Sequence, residues 1–341
     1  MQNVPLLQSP LRWEGAISLQ SVDGAVQPWR LPHGQLPLFH PKLVDRAGSP
    51  SGIRICLRSD TTTLALEVEP HSGVARIWDL FIDGQMTSRV TLAPGETQVS
   101  FTGLGGEPAR LRRIELYLPA QYVPLRVRSL RVDADAAVES WHDPRPRWVV
   151  YGSSIEHAQQ AHGPSQTWPA AVARQFDLHL TNLGYGGNEH LEISVARMIR
   201  DRPADLLTLC VGGNIWGSRT LTARTYRAAV IGFVQTLRDR HPTAPIAVVT
   251  FIHSMHDVEP QTDGMITLQQ VRELTAQAVD DLRAFGDERI FCIDGRDLFG
   301  PADMPLMSPD RVHPGGDGQL LMAQRFIERV MPRMLALRDA R

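Results

Sequence analysis

The chain is poor in cysteine, in net charge and in long apolar runs, and each shortage removes a class of function. Its three cysteines, Cys56, Cys210 and Cys292, stand singly inside apolar, strand-like stretches. Without C-x-x-C spacing there is no zinc framework, and without a paired set there is no disulfide scaffold, so buried free thiols are expected. A formal charge of -2 over 341 residues exerts no pull on nucleic acid or anionic lipid. The best apolar run, "PIAVVTFIH", falls well short of the roughly 20 residues that span a bilayer, and "MQNVPLLQSPLRWEG" has neither the basic start nor the apolar stretch of a signal peptide. A cytoplasmic globular protein is expected, with no nucleic-acid or membrane partner. No internal repeat or low-complexity tract suggests otherwise.

What is present fits two domains. Apolar residues make up 43% of the chain and charged residues 21%, enough for a sizeable core. From about Leu11 to Val132 the pattern is of short alternating segments parted by Gly, Pro, Asp and Ser. In "GIRICLRSD" Ile53, Ile55 and Leu57 share one face against Arg54, Cys56 and Arg58, and in "TLALEVEP" Leu64, Leu66 and Val68 share another. Such runs predict an antiparallel β-sandwich. Near "ESWHDPRPRW" the texture changes, which places a boundary close to Pro144, with a first domain over 1–143 and a second over 144–341. Beyond it, apolar strand candidates at Trp148–Tyr151, Leu178–Leu183, Leu206–Val211, Ile246–Phe251 and Ile290–Ile293 alternate with helical stretches around Trp168–Phe176, Leu191–Arg200, Leu221–Arg240, Leu268–Phe285 and Asp317–Leu335. Continuous apolar strands between amphipathic helices predict a parallel sheet covered on both faces.

Ligands of such sheets bind beyond the carboxyl ends of the strands, and the polar residues collect there. The first strand runs into Gly152-Ser153-Ser154, the second into "NLGYGGNEH", the third into "VGGNIWG", and "SPDRVHPGGDGQ" precedes the last helix. A serine hydroxyl becomes a useful nucleophile when a histidine takes its proton and a carboxylate fixes that histidine's tautomer. Asp310 and His313 supply such a pair from one loop. The oxyanion of a tetrahedral intermediate needs preorganised donors, and the Gly187 N–H and the Asn214 side-chain amide fit that need.

The order G-x-S, a glycine loop of the form N-L-G-x-x-G-N, G-x-N, and D-x-x-H before a terminal helix resembles the SGNH, or GDSL-like, hydrolase superfamily from about Arg147 onward. The resemblance implies a three-layer, flavodoxin-like parallel sheet, with Ser154 as nucleophile, His313 as base, Asp310 as its acid, and Ser154, Gly187 and Asn214 as oxyanion donors. It also favours Ser154 over Ser153, which is left to order the turn. Ser153 stands where the family name has Asp, and Ile215 follows the third-block Asn where many members have Asp. Both departures point to the subgroup whose first block reads G-[ST]-S-I. Asp79-Leu80-Phe81 resembles the G-x-D-L-Y motif of the jelly-roll-like sandwich that precedes some of these esterases, although Ile77 replaces its glycine.

The expected function is therefore a serine esterase that removes a short acyl group, acetyl first, from a hydroxyl of a carbohydrate or small polyol. The rival readings are a thioesterase or lysophospholipase for longer chains, and a non-catalytic glycan-binding protein. No cofactor is called for, and no metal: His157, His190, His253 and His256 lack H-E-x-x-H spacing. His157 and His190 are instead expected on the pocket rim, Trp216 as a substrate platform or a core residue, and Arg30, in the proline-rich stretch 28–39, in a segment that either reaches over the site or wraps the domain. The small-molecule ester is the expected partner, and a homo-oligomer is left open.

Overall fold

The computed structural model describes residues 1–105, 110–258 and 266–340. It divides into two compact units: Met1–Arg145 with Gly163–Ser165, and Pro146–His162 with Gln166–Arg341.

The first unit is built from strands β1 (Gln2–Asn3), β2 (Arg12–Glu14), β3 (Ser18–Val22), β4 (Ala25–Trp29), β5 (Arg54–Ser59), β6 (Leu64–Val68), β7 (Arg76–Ile82), β8 (Gln85–Leu92), β9 (Gln98–Phe101), β10 (Arg112–Tyr117), β11 (Val127–Val132) and β12 (Val138–Glu139), with one short helix, α1 (Pro41–Ala47). One antiparallel sheet runs β3-β4-β11-β6-β9 with β1 beside β11; the other runs β12-β5-β10-β7-β8 with β2 beside β5. Asp23-Gly24 and Asp83-Gly84, all at positive φ, close the β3–β4 and β7–β8 hairpins in the type I′ manner that matches strand twist. Leu64, Leu66 and Val68 of one sheet share a core with Ile55, Leu57, Trp78, Leu80, Ile114 and Leu116 of the other, as period-two alternation dictates.

The opposite face of β5 buries a charged residue beside the expected buried thiol of Cys56. Arg54 and Cys56 are as buried as their apolar neighbours, because this side of the sheet carries an ion network. Glu115 lies 2.9 Å from Arg145 Nη2, 3.1 Å from Arg113 Nε and 3.9 Å from Arg54 Nη1. Arg145 also holds Asp143 at 2.6 Å. On the same face, fully buried Asp79 accepts from Arg89 Nε at 2.6 Å and Nη2 at 3.0 Å. Its Oδ2 also takes the Ser165 N–H at 3.0 Å and hydroxyl at 2.7 Å, which ties Gly163–Ser165 to this unit. A buried carboxylate without such partners would be prohibitively costly, so the motif aspartate has a structural task here.

In the second unit the strands β13 (Arg147–Gly152), β14 (His179–Gly184), β15 (Leu206–Cys210), β16 (Ile246–Val249) and β17 (Ile290–Ile293) form a parallel sheet ordered β14-β13-β15-β16-β17. The helices are α2 (Ser154–His157), α3 (Trp168–Gln175), α4 (Ile193–Arg200), α5 (Gly213–Ser218), α6 (Ala223–Arg238), α7 (Leu268–Ala284), α8 (Gly316–Arg329) and α9 (Met331–Asp339). Helix α3 packs on α8, while α6 packs on both α4 and α7, so both faces of the sheet are covered. β13 faces both layers: Trp148 meets Trp168 and Phe326 at centroid distances of 6.1 and 5.6 Å, and Tyr151 stacks on Phe233 at 4.9 Å. Deleting a buried ring of this kind costs about 3–5 kcal/mol.

The single helix expected over Asp317–Leu335 is two, parted at Val330. Pro332 has no N–H to offer the carbonyl four residues back and crowds the preceding turn, so the helix breaks there. No described helix is long and apolar enough to cross a membrane.

Candidate active site

The strand order fixes where a site belongs. Connections leave β13 toward β14 on one side and β15 on the other, and the crevice at such a switch point opens at the strands' carboxyl ends. Residues following β13, β14 and β15 converge there.

After β13 the chain turns sharply into α2. Ser153 is its N-cap, with Oγ accepting the Ile155 N–H at 3.2 Å. The Glu156 carboxylate closes a capping box by accepting the Ser153 N–H at 2.7 Å and hydroxyl at 3.1 Å. Ser153 is thus occupied in the turn. Ser154, half-buried, is the next residue, and its Oγ lies 2.7 Å from His313 Nε2.

His313 comes from the loop before α8. Its Nδ1 is 2.8 Å from Asp310 Oδ2, while Asp310 Oδ1 accepts the Val312 N–H at 2.9 Å and the His313 N–H at 3.0 Å. Partial burial works to raise the Asp310 carboxyl, but these two amides and the imidazole outweigh it and hold it well below the ordinary carboxylate range. The loop is pinned by the Ser308 N–H donating to the His313 carbonyl at 2.8 Å.

The loops after β14 and β15 are joined through Glu189. Its N–H donates to Asn214 Oδ1 at 2.9 Å, and its Oε2 accepts the Gly212 N–H at 2.8 Å. Because Asn214 Oδ1 is taken, the donating end of the amide, Nδ2, faces away from Glu189. Gly212 sits at φ +105°, and a Cβ there would collide with Val271 and the Tyr226 hydroxyl, so glycine is required. Gly187, at φ +71° with open space around it, is exposed at the tip of the β14 loop. Asn182, near the end of β14, donates to the Glu156 carbonyl at 2.8 Å and accepts the Gly184 N–H at 3.0 Å.

Under these turns lies a cavity of about 20 Å³ whose lining includes Ser153, Glu156, Glu189, Cys210 and Gly213. Burial pushes the Glu156 carboxyl up, against hydrogen bonds from Ser153 and Cys210, and pushes Glu189 up strongly, with Glu156 adding to the effect. The Cys210 thiol is raised as well, by burial and then by Glu156.

Two of the residues considered for the substrate site have no exposed surface. Arg30 is fully buried, donating to the Ser49 carbonyl at 2.7 Å and the Arg46 carbonyl at 2.6 Å; its guanidinium holds the C-terminal end of α1 within the first unit. His157 is also fully buried, with Nδ1 3.1 Å from the Gly184 carbonyl, because α2 packs its last residue against the end of β14. His190 is partly exposed beside Thr220 Oγ1 at 3.1 Å, and Trp216 is partly exposed with its ring 5.3 Å from that of His256. Glu156 was legible in the sequence as the S-x-x-E of a capping box. Glu189 had no local signal, since its partners come from a different strand end.

A family model for GDSL-like lipases and acylhydrolases matches residues 145–331. The chain belongs to the GDSL-like lipase/acylhydrolase family. A second model, for the N-terminal domain of SsfX3, matches residues 11–126 of this GDSL-like protein. Among solved structures, the salicylyl-acyltransferase SsfX3 from a tetracycline biosynthetic pathway is 33% identical, covering 99% of this chain and 98% of its own, with a TM-score of 0.89. A GDSL-like lipase candidate from Bacteroides ovatus is 22% identical over 96% of both chains, with a TM-score of 0.74. A family two carbohydrate esterase from Clostridium thermocellum, solved with cellohexaose, is 13% identical over 96% of this chain and 99% of its own, with a TM-score of 0.65. The last two speak to the fold alone. No curated protein sequence matches the chain. The family and its fold establish an acyl hydrolase or acyltransferase class for this GDSL-like protein.

Proposed function

We propose that this protein is a serine esterase that cleaves short-chain esters, acetyl first, of a carbohydrate or small polyol through an acyl-Ser154 intermediate. The observation that carries the reading is the continuous chain from Ser154 Oγ to His313 Nε2 at 2.7 Å and from His313 Nδ1 to Asp310 Oδ2 at 2.8 Å. Ser154 Oγ attacks the ester carbonyl carbon while its proton passes to His313 Nε2, and Asp310 stabilises the imidazolium. The N–H groups of Ser154 and Gly187 and the Asn214 Nδ2–H take the charge on the carbonyl oxygen. Collapse expels the alcohol, which leaves with the proton from His313. Water then repeats the sequence on the acyl-serine and frees the carboxylic acid.

The similarity to SsfX3 along nearly the whole chain favours a second reading, in which a hydroxyl of another small molecule replaces water in the last step. Both readings share the acyl-enzyme, and one experiment separates them. Hydrolysis of p-nitrophenyl esters from acetate to octanoate is measured for wild type and Ser154→Ala, with and without an excess of polyol or phenolic acceptors. Acetate cleavage that vanishes in the variant supports the esterase, with a loss in kcat of about 10⁵-fold or more expected. Acyl transfer that outruns hydrolysis when an acceptor is added moves the assignment to a transferase. Rates that climb with chain length favour the thioesterase or lysophospholipase alternative, and equal activity in both proteins removes Ser154 as the nucleophile.

A further inference from the structure

The β14 and β15 loops have to hold the Asn214 amide still, and the reading of Ser154 as nucleophile leaves open what does so. Glu189 grips the β15 loop twice, through its own N–H to Asn214 Oδ1 and through its carboxyl to the Gly212 N–H. It has no exposed surface, and its second oxygen, Oε1, has no hydrogen-bond partner among the described residues. That oxygen belongs to a residue lining the 20 Å³ cavity shared with Glu156 and Cys210, which has room for one water. We propose that Glu189 is a positioning residue for acyl transfer, fixing Gly212 and Asn214 so that the Asn214 Nδ2–H meets the developing oxyanion.

The chemistry at this spot explains the surroundings. A full negative charge near the oxyanion would oppose the very charge the donors are there to stabilise. Burial answers this by driving the Glu189 carboxyl toward its neutral form, aided by Glu156. A neutral acid still accepts from the Gly212 N–H through its carbonyl oxygen and offers the other oxygen's proton to the cavity. Glutamine has the same shape and the same acceptor, so it reproduces the proposed role, whereas methionine keeps the bulk and removes the acceptor.

This inference rests on the acyl-serine reading, and the test separates the two. Ser154→Ala and labelling of Ser154 by a fluorophosphonate examine the nucleophile alone. Against that background, kcat and KM for p-nitrophenyl acetate are measured for Glu189→Gln and Glu189→Met, and for each combined with Asn214→Ala. Glu189→Gln should stay within about threefold of wild type. Glu189→Met should lose about ten- to a hundredfold in kcat with KM within about twofold, as small displacements of an aligned group do. In the Asn214→Ala background the methionine change should cost little, because Glu189 acts through Asn214. Undiminished kcat in Glu189→Met, a full additional loss on top of Asn214→Ala, or a glutamine variant as impaired as methionine overturns the proposal while leaving Ser154 in place. If Glu189→Met does not fold, Glu189→Asp serves instead: its shorter carboxyl misses the Gly212 N–H, and it must show the same kcat loss and the same dependence on Asn214, or the proposal fails.

Discussion

In the first unit the buried carboxylate Glu115 lies among the guanidiniums of Arg54, Arg113 and Arg145, whereas in the second Glu156 and Glu189 meet backbone N–H groups, a serine hydroxyl and a thiol. The first arrangement keeps its charges. Burial works against the Arg145 cation, yet Asp143 and Glu115 outweigh it and leave the guanidinium firmly protonated. The second arrangement suppresses charge, because burial is opposed by amides and not by cations. Asp310, with a side chain 41% exposed, is different again: it is the carboxylate held ionised next to the histidine. Ion pairs hold shape in both units, as with Arg272 and Asp257 at 2.6 Å or Arg238 and Asp287 at 2.7 Å in the second, but the carboxyls beside the Ser154 turn meet no cation among the described residues.

Asp310→Asn tests the most sensitive side of this contrast. The amide preserves size but offers His313 the wrong hydrogen-bond pattern, so kcat should fall by about 10³–10⁴. Stability should hardly change at neutral pH, by about 1 kcal/mol at most for so exposed a pair. The folded carboxyl titrates below its unfolded value of about 3.9, so its contribution is complete above that pH and is lost as the pH falls through the lower, folded value. Denaturation at a series of pH values should therefore show wild type and variant converging in strong acid. A turnover drop of less than tenfold would mean that the His313 tautomer is fixed without the acid.

Asn214→Ala comes next. It removes the proposed oxyanion donor and frees the Glu189 N–H, and a loss of about a hundredfold or more in kcat is expected. Unchanged turnover would leave the charge to the Ser154 and Gly187 amides alone.

Much of this was legible because it is local. The alternation Ile53, Ile55, Leu57 predicts a core-facing strand, and those residues lie in the shared core; the apolar runs from Trp148 to Ile293 predict the five parallel strands that form. Ser154, Asp310 and His313 are recognisable from the loops that follow or precede regular elements, and the structure brings them within hydrogen-bonding reach. What escapes is whatever depends on a distant partner. Arg54 reads only as lying on the face of its strand opposite Ile53, Ile55 and Leu57, because the Glu115 that accounts for its burial is on another strand. Whether Arg30 reaches over a site or wraps the domain is left open by the sequence, because the carbonyls that hold it, of Arg46 at the end of α1 and of Ser49 beyond it, come later in the chain. Glu189 carries no periodicity or cap signature, and its role emerges when β14 and β15 are brought to the same end of the sheet.

Glu115→Gln sharpens the comparison from the other side. Removing the negative centre leaves the buried Arg54 guanidinium without its carboxylate and Arg145 with Asp143 alone, a loss of about 3–5 kcal/mol where such pairs are broken. Urea unfolding should report it, while kcat on p-nitrophenyl acetate in the folded protein stays the same. A variant of full stability would mean that Asp143 and the rings of Trp141 and Tyr117, which lie 4.8 Å from the Arg145 and 5.7 Å from the Arg54 guanidinium carbons, carry the cations without Glu115.

Trp216→Ala should give the smallest effect and the one most informative about substrate. Trp216 lies two residues after Asn214, partly exposed, against His256 at 5.3 Å. A platform of this kind stacks on a bound ring or covers an acyl chain, and aromatic contacts of that order contribute about 0.5–1.5 kcal/mol. KM should rise by about two- to tenfold with kcat unchanged, the signature of lost binding shared by ground and transition states. Across the ester series the rise should depend on the acyl or alcohol group, because a platform acts on what it touches. A variant with unaltered KM and a lowered melting temperature would instead make Trp216 a packing residue for the β16 loop, and the determinant of substrate choice would then have to be sought at His190.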